Sequence, residues 1–273
     1  MNKPLFKVDS IVIVSATIAE IRSLKLGFIT NYFPEPHRLS LWIAKGDCYA
    51  ERVENTFFII KRSDFFWSVY YCSPTIAHLA DNLRQFQKSH EGQTMVFDIV
   101  GRRDQCIPIV KVFQENNFKL GTALVRMTRI MDSIPEGSNN AKVSYAKNTD
   151  IPEIYDYLHR FFNERFEQIP YFEELIDYSL QKQILVYKDN ETMTGFLIFD
   201  HNPSTLYLRY WFTHPDFRDR GVGSKLLHRF FEEGKETKRQ LLWVIQTNEN
   251  AIKRYKHFGF TEENMFDFIM QIN

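Results

Sequence analysis

Only three cysteines occur in 273 residues, at Cys48, Cys72 and Cys106. They are odd in number, widely spaced and never paired as CxxC, which argues against a disulfide framework and against a zinc knuckle. Neither sign of charge is in excess, because 34 basic residues meet 34 acidic ones. The uniform pull toward nucleic acid that a strongly basic chain exerts is therefore missing. No stretch of about 18 unbroken apolar residues is present, which excludes an ordinary transmembrane helix. The nearest approach to a leader is Ile11-Val-Ile-Val-Ser-Ala-Thr-Ile-Ala19 behind Lys3 and Lys7, but Asp9 interrupts the basic region and Glu20 follows at once. The expectation is a protein of the reduced cytoplasm, with no membrane and no nucleic-acid partner.

What is present is apolar side chain: 44% hydrophobic and 15% aromatic residues, enough for ordinary cores in one large or two modest domains. Ile134-Pro-Glu-Gly-Ser-Asn-Asn140 is a cluster of turn-formers with nothing to bury, so a linker is placed at 134–140 between domains 1–133 and 141–273. After it, apolar runs and helical periodicities alternate in the order βααβββαβαβ, and Asp150, Pro152 and Glu153 read as a helix start. The first half reads as a worn copy. Phe113-Gln-Glu-Asn-Asn-Phe118 and the strand after it parallel Tyr255-Lys-His-Phe-Gly-Phe260 and its strand, about 142 residues on, a domain-sized repeat. The fold class expected is mixed α+β, a central mixed sheet flanked by helices in two tandem copies.

The segment from Phe212 through Thr213, Arg218, Arg220, Gly221, Val222 and Gly223 to Ser224 joins an apolar strand to an amphipathic helix. A helix start carries unsatisfied N–H groups and partial positive charge. A strand, a glycine turn and a helix thus make a diphosphate cradle, to which Arg218 and Arg220 add charge. A dinucleotide fingerprint would need glycine at 226, where Leu226 stands, and the P-loop pattern GxxxxGK[ST] is absent.

Together with the residues downstream, this segment resembles the GCN5-related N-acetyltransferase (GNAT) superfamily. Arg218-x-x-Gly221-x-Gly223, with Pro215 before it, is similar to that family's diphosphate loop. Asn248-x-x-Ala251-x-x-x-Tyr255-x-x-x-Gly259-Phe260 is similar to its second motif. The resemblance covers residues 141–273 and, more weakly, the whole chain as a tandem arrangement. It implies acetyl-CoA as co-substrate, held by main-chain amides from Arg218 through Ser224. The strand ending at Phe212 and Thr213 would pair with the pantetheine arm, Asn248 would contact it, and Tyr255 would be the general acid. The implied reaction moves acetyl to a primary amine, small-molecule or peptide, by direct attack in a ternary complex. The alternative is a non-catalytic acyl-CoA-binding sensor or scaffold. A phenol beside the sulfur can protonate the departing thiolate.

The base has no clean assignment, since the strand 206–213 carries no carboxylate. Glu164 and Glu167 are candidates, Asp200 and His214 weaker ones. Residues 136–208 hold 6 basic and 12 acidic side chains and residues 209–256 hold 11 and 6, which suits a cationic acceptor beside an anionic coenzyme. Phe161, Phe162, Phe166, Tyr171 and Phe172 are either core or acceptor wall. In the first half Cys72-Ser-Pro-Thr-Ile-Ala77 has neither glycine pair nor arginine, and Phe113 stands where the phenol would be. Residues 1–133 are expected to bind no acetyl-CoA. They would pack on the second domain, shape the acceptor cleft or mediate self-association as a homodimer.

Overall fold

A computed structural model describes residues 3–33, 36–130 and 142–273. The linker expected at 134–140 lies outside the described residues. The first half runs β1 (Lys3–Lys7), α1 (Ile11–Ser23), β2 (Ile29–Thr30), α2 (Pro36–Lys45), β3 (Cys48–Val53), β4 (Thr56–Arg62) and β5 (Trp67–Ser73), then α3 (Ile76–Ser89), β6 (Met95–Gly101), α4 (Arg103–Glu115) and β7 (Lys119–Ile130). The second runs β8 (Val143–Tyr145), α5 (Ile151–Phe161), α6 (Phe172–Leu180), β9 (Ile184–Asp189), β10 (Thr192–Asn202) and β11 (Thr205–Thr213), then α7 (Val222–Glu233), β12 (Arg239–Ile245), α8 (Glu249–His257) and β13 (Thr261–Ile272). This is the order read from the second half, and the first half repeats it with β2 added. Among the described residues no helix is long and apolar enough to cross a membrane.

The chain forms two compact units, Met1–Ala123 with Met265–Asn273, and Leu124–Asn264. Neither is a continuous segment. In the first unit the sheet order is β1-β3-β4-β5-β6-β13, with β2 on β5. Side chains alternate across a sheet, and here each face has its own helices. Tyr70 of β5 stacks on Trp42 of α2 at 5.6 Å, while Phe58 of β4 stacks on Phe86 of α3 at 4.2 Å and Phe97 of β6 meets Phe113 of α4 at 4.8 Å.

In the second unit the order is β7-β12-β11-β10-β9-β8, antiparallel except for the parallel pair β11–β12. Ile151, Ile154, Leu158 and Leu175 of α5 and α6 pack on Ile184, Val186, Phe196, Tyr210 and Phe212. Phe230 of α7 lies on the other face against Phe199. Helix α7 stops at Glu233 because Gly234 follows. Asp150 caps a 3-10 turn rather than α5, its carboxylate accepting from the Lys147 N–H at 2.9 Å and meeting Lys188 Nζ at 2.6 Å.

The units do not divide at the linker. Leu124–Ile130 of β7, written above with the first domain, pairs residue for residue with Arg239–Ile245 of β12 in the second unit. Phe266–Ile272 of β13, written with the second domain, pairs with Met95–Gly101 of β6 in the first. Each half of the sequence gives its last strand to the other's sheet.

Candidate functional site

In the second unit the parallel register of β11 and β12 runs from Thr205 and Arg239 to Leu208 and Leu242, where it ends although both strands continue. Arg209–Thr213 therefore has a main-chain edge directed into a wedge between diverging strands. At the wide end of the wedge the chain passes through a 3-10 turn, Pro215–Phe217, and enters α7.

Gly221, the residue before α7, has φ +73°, a left-handed conformation that glycine adopts without penalty. No side chain caps this helix, and its first internal bond runs from the Lys225 N–H to the Gly221 carbonyl at 3.1 Å. The amides of Val222, Gly223 and Ser224 precede that bond and face the mouth, as a helix start requires. A Cβ on Gly223 would lie 3.0 Å from Trp211 Cζ2 and 3.2 Å from Thr213 Oγ1, so a side chain there would close the cradle. Arg218 and Arg220 are exposed, and the Arg220 guanidinium lies 4.9 Å from the Phe217 ring. Val222 and Phe212 are buried, Phe212 in the core beneath α5 and α6, so only their main chains can face a ligand.

Asn248 is exposed and caps α8, its Oδ1 accepting from the Ala251 N–H at 3.1 Å. Seven residues on, the ring of Tyr255 packs 5.4 Å from that of Trp211. The spacing Tyr-x-x-x-Gly-Phe is a helix ending: Gly259 takes φ +86°, and the Phe260 N–H folds back to the Tyr255 carbonyl at 3.0 Å. Burial, and then the charge of Glu167, push the Tyr255 phenol well above its ordinary value. It keeps its proton at any physiological pH.

The four base candidates separate. Glu167 lies in the loop between α5 and α6, which Tyr210 of β11 holds by donating its hydroxyl to the carbonyls of Glu167 and Gln168, at 2.7 and 2.9 Å. Burial raises the Glu167 carboxyl, against the lowering effect of the Asn163 N–H it accepts at 2.7 Å. Of the four, Glu167 is the one whose charge acts on the Tyr255 phenol. Glu164 is half-exposed and 3.8 Å from His159, and Asp200 is engaged by Tyr178 at 2.6 Å and Arg209 at 3.4 Å. His214 lies beside Asp216 at 3.7 Å, among the rings of Tyr157, Phe161 and Phe212. Phe161 and Phe172 are partly exposed, whereas Phe162 packs on Tyr210. Trp211 and Tyr210, adjacent in an aromatic strand, were not among the expected site residues, and only their place in the strand before the glycine turn could have marked them.

The first unit has the same wedge but fills it. Parallel pairing of β5 and β6 covers Trp67–Ser68 against Met95–Val96. Beyond it, β2 pairs with Cys72 and Ser73, and Asn31, 3% exposed, closes the edge of β5. Its Nδ2 donates to the Val69 carbonyl at 3.2 Å and its Oδ1 accepts from the Tyr71 N–H at 2.6 Å, while the Thr30 hydroxyl donates to the Tyr71 carbonyl at 2.6 Å. The mouth of α3 is capped by Thr75, whose Oγ1 accepts from the His78 N–H at 3.3 Å. Asn117, φ +64°, repeats the turn made by Gly259, and the Phe118 N–H returns to the Phe113 carbonyl at 3.0 Å. Phe113 thus occupies the place of Tyr255 without a hydroxyl. All three cysteines lie buried in this unit, and among the described residues no group of three or more metal-ligating side chains is assembled.

Residues 151–260 match the acetyltransferase (GNAT) family. Over 56 residues the chain is 41% identical to an uncharacterized N-acetyltransferase of Methanocaldococcus jannaschii, a match that covers 20% of this chain and 25% of that protein. The crystal structure of a GCN5-related N-acetyltransferase from Sphaerobacter thermophilus is similar at TM-score 0.62 and 13% identity, over 98% of this chain and 95% of that one. A tandem GNAT protein from the clavulanic acid biosynthesis pathway is similar at TM-score 0.62 and 11% identity, over 98% of each chain. At these identities the structures speak to the fold alone.

Proposed function

We propose, from a chain whose residues 151–260 belong to the acetyltransferase (GNAT) family, that its second unit is an N-acetyltransferase moving acetyl from acetyl-CoA to a primary amine. The observation that carries this reading is the juxtaposition of an uncapped α7 mouth, a strand edge opened by divergence from β12, and the Tyr255 phenol beside that edge. Amides from Gly221 through Ser224 bind the diphosphate, with Arg218 and Arg220 at the entrance. The edge of β11 through Thr213 takes the pantetheine arm, and Asn248 contacts it beyond the α8 cap.

The amine nitrogen attacks the thioester carbonyl, a C–N bond forms, and the C–S bond breaks. Glu167 accepts the proton that the nitrogen loses, and Tyr255 gives its own to the departing sulfur. A carboxyl raised by burial is a better base than an ordinary one, and a phenol that holds its proton is available as an acid. Attack is direct, since the second unit has no cysteine to form an acyl-enzyme. The first unit, its wedge filled by Asn31 and Thr30, holds no coenzyme.

The test measures CoA thiol release from acetyl-CoA with a panel of primary amines. Turnover is expected in the wild type. Tyr255→Phe is expected to lower kcat by about 10²-fold with little change in KM for acetyl-CoA. Equal rates in both proteins would reject the acid role, and tight acetyl-CoA binding without turnover would return the chain to the sensor reading.

A further inference from the structure

Buried polar atoms are nearly always paired, so one that is not calls for a reason. In the second unit the indole Nε1 of Trp211 is buried and has no hydrogen-bond partner. Its position makes it more than an ordinary defect. Trp211 is on the stretch of β11 beyond the end of pairing with β12. Its Cζ2 and Cε2, the ring atoms next to the N–H edge, lie 3.0 and 3.3 Å from where a Cβ of Gly223 would stand, and its ring is 5.4 Å from that of Tyr255. The indole therefore bridges the helix mouth and the phenol, the two ends between which an extended acyl carrier would run.

We infer that the Nε1–H of Trp211 is a hydrogen-bond donor to the pantetheine arm of the coenzyme, at a carbonyl oxygen between the diphosphate and the thioester. The inference rests on the acetyl-CoA reading above and assigns a contact that the loop and phenol motifs do not contain. A donor withheld from protein and water in the free state gains its first partner when the ligand arrives, so that bond costs little desolvation at the moment of binding. The absence of a side chain at Gly223 lets the indole edge lie against the start of α7, beside the mouth where the ligand would enter. Tryptophan suits this place because it joins a large apolar surface to a single directional donor.

Nitrogen-15 spectra of the full-length protein resolve the test, because the chain has four tryptophans and each gives one indole N–H signal. Trp42→Phe, Trp67→Phe and Trp243→Phe assign the Trp211 signal by elimination without touching it. Acetyl-CoA and S-acetylpantetheine are expected to move this signal downfield, and 3′-phospho-ADP, which lacks the arm, to leave it in place. Trp211→Phe is expected to weaken acetyl-CoA and S-acetylpantetheine about fivefold while leaving 3′-phospho-ADP affinity unchanged. A signal that stays put while calorimetry records acetyl-CoA binding overturns this inference alone. So does the same downfield shift with 3′-phospho-ADP. Failure of the wild type to bind acetyl-CoA removes the coenzyme reading itself, and this contact with it.

Discussion

Cutting the chain at 134–140, where the sequence invites it, should yield a second half that does not fold. A fragment of residues 141–273 lacks Leu124–Ile130, the strand that pairs with Arg239–Ile245 along the whole of β12. Three side chains of that strand, Leu124, Val125 and Met127, are at most 9% exposed. At about 1.5–3 kcal/mol for each buried apolar side chain, their loss removes about 5–9 kcal/mol. Gln240 also loses a partner. It is fully buried and its Oε1 accepts from Arg129 Nη1 at 3.0 Å, so its desertion costs about 1–3 kcal/mol more. The total is as large as the ~5–15 kcal/mol that holds an ordinary domain together. A fragment of 124–273 retains the strand and is expected to melt cooperatively, whereas 141–273 should give no cooperative transition by circular dichroism. A melt of 141–273 as steep as that of 124–273, with a midpoint within a few degrees of it, would refute the reasoning.

Glu167→Gln is expected to abolish most turnover and to remove the acid limb of the kcat/KM profile. In the wild type that limb should lie above the ordinary carboxylate range, because burial raises the carboxyl and activity is lost as pH falls through its raised value. Gly223→Ala should weaken acetyl-CoA about tenfold or more in calorimetry, since the new Cβ meets the Trp211 ring at 3.0 Å, while the melting temperature changes little. In the first unit Asp267 is raised by burial and then by Asp98, which lies diagonally across on β6. A carboxyl raised on folding contributes stability at low pH that is lost as pH rises through its folded value. Asp267→Asn should therefore raise Tm by a few degrees at pH 8 and hardly change it at pH 4, as scanning calorimetry can measure.

What was legible in the sequence was local chemistry. The glycine turn before α7 and the Tyr255–Phe260 ending depend on backbone conformations that neighbouring residues dictate, so each is a short local pattern, and the resemblance to a family's two motifs marked them as a site. The amphipathic helices α3, α5 and α8 followed from periodicity. Helix α1 did not, because Val12 and Ile13 are exposed while Val14 and Ile21 are buried, and its apolar run imitates a leader instead of showing a face. The exchange of last strands was invisible for another reason. Leu124–Ile130 pairs with residues more than a hundred positions away, and an apolar strand pattern does not say which sheet receives it. Nor did any pattern mark Asn31 and Thr30, whose role is made of side-chain bonds to a strand forty residues on. Glu167 was one carboxylate among several until Tyr210 was seen to anchor its loop.

Asn31 and Thr30 give the first unit a permanent internal substitute for a guest. If the second unit binds as proposed, two copies of one architecture amount to a valence of one: the copy sealed from within has its edge already paired, and the open copy is completed by what it binds. On the proposed reading, saturation by coenzyme should follow a simple hyperbola, since among the described residues the wedge of the first unit is already filled.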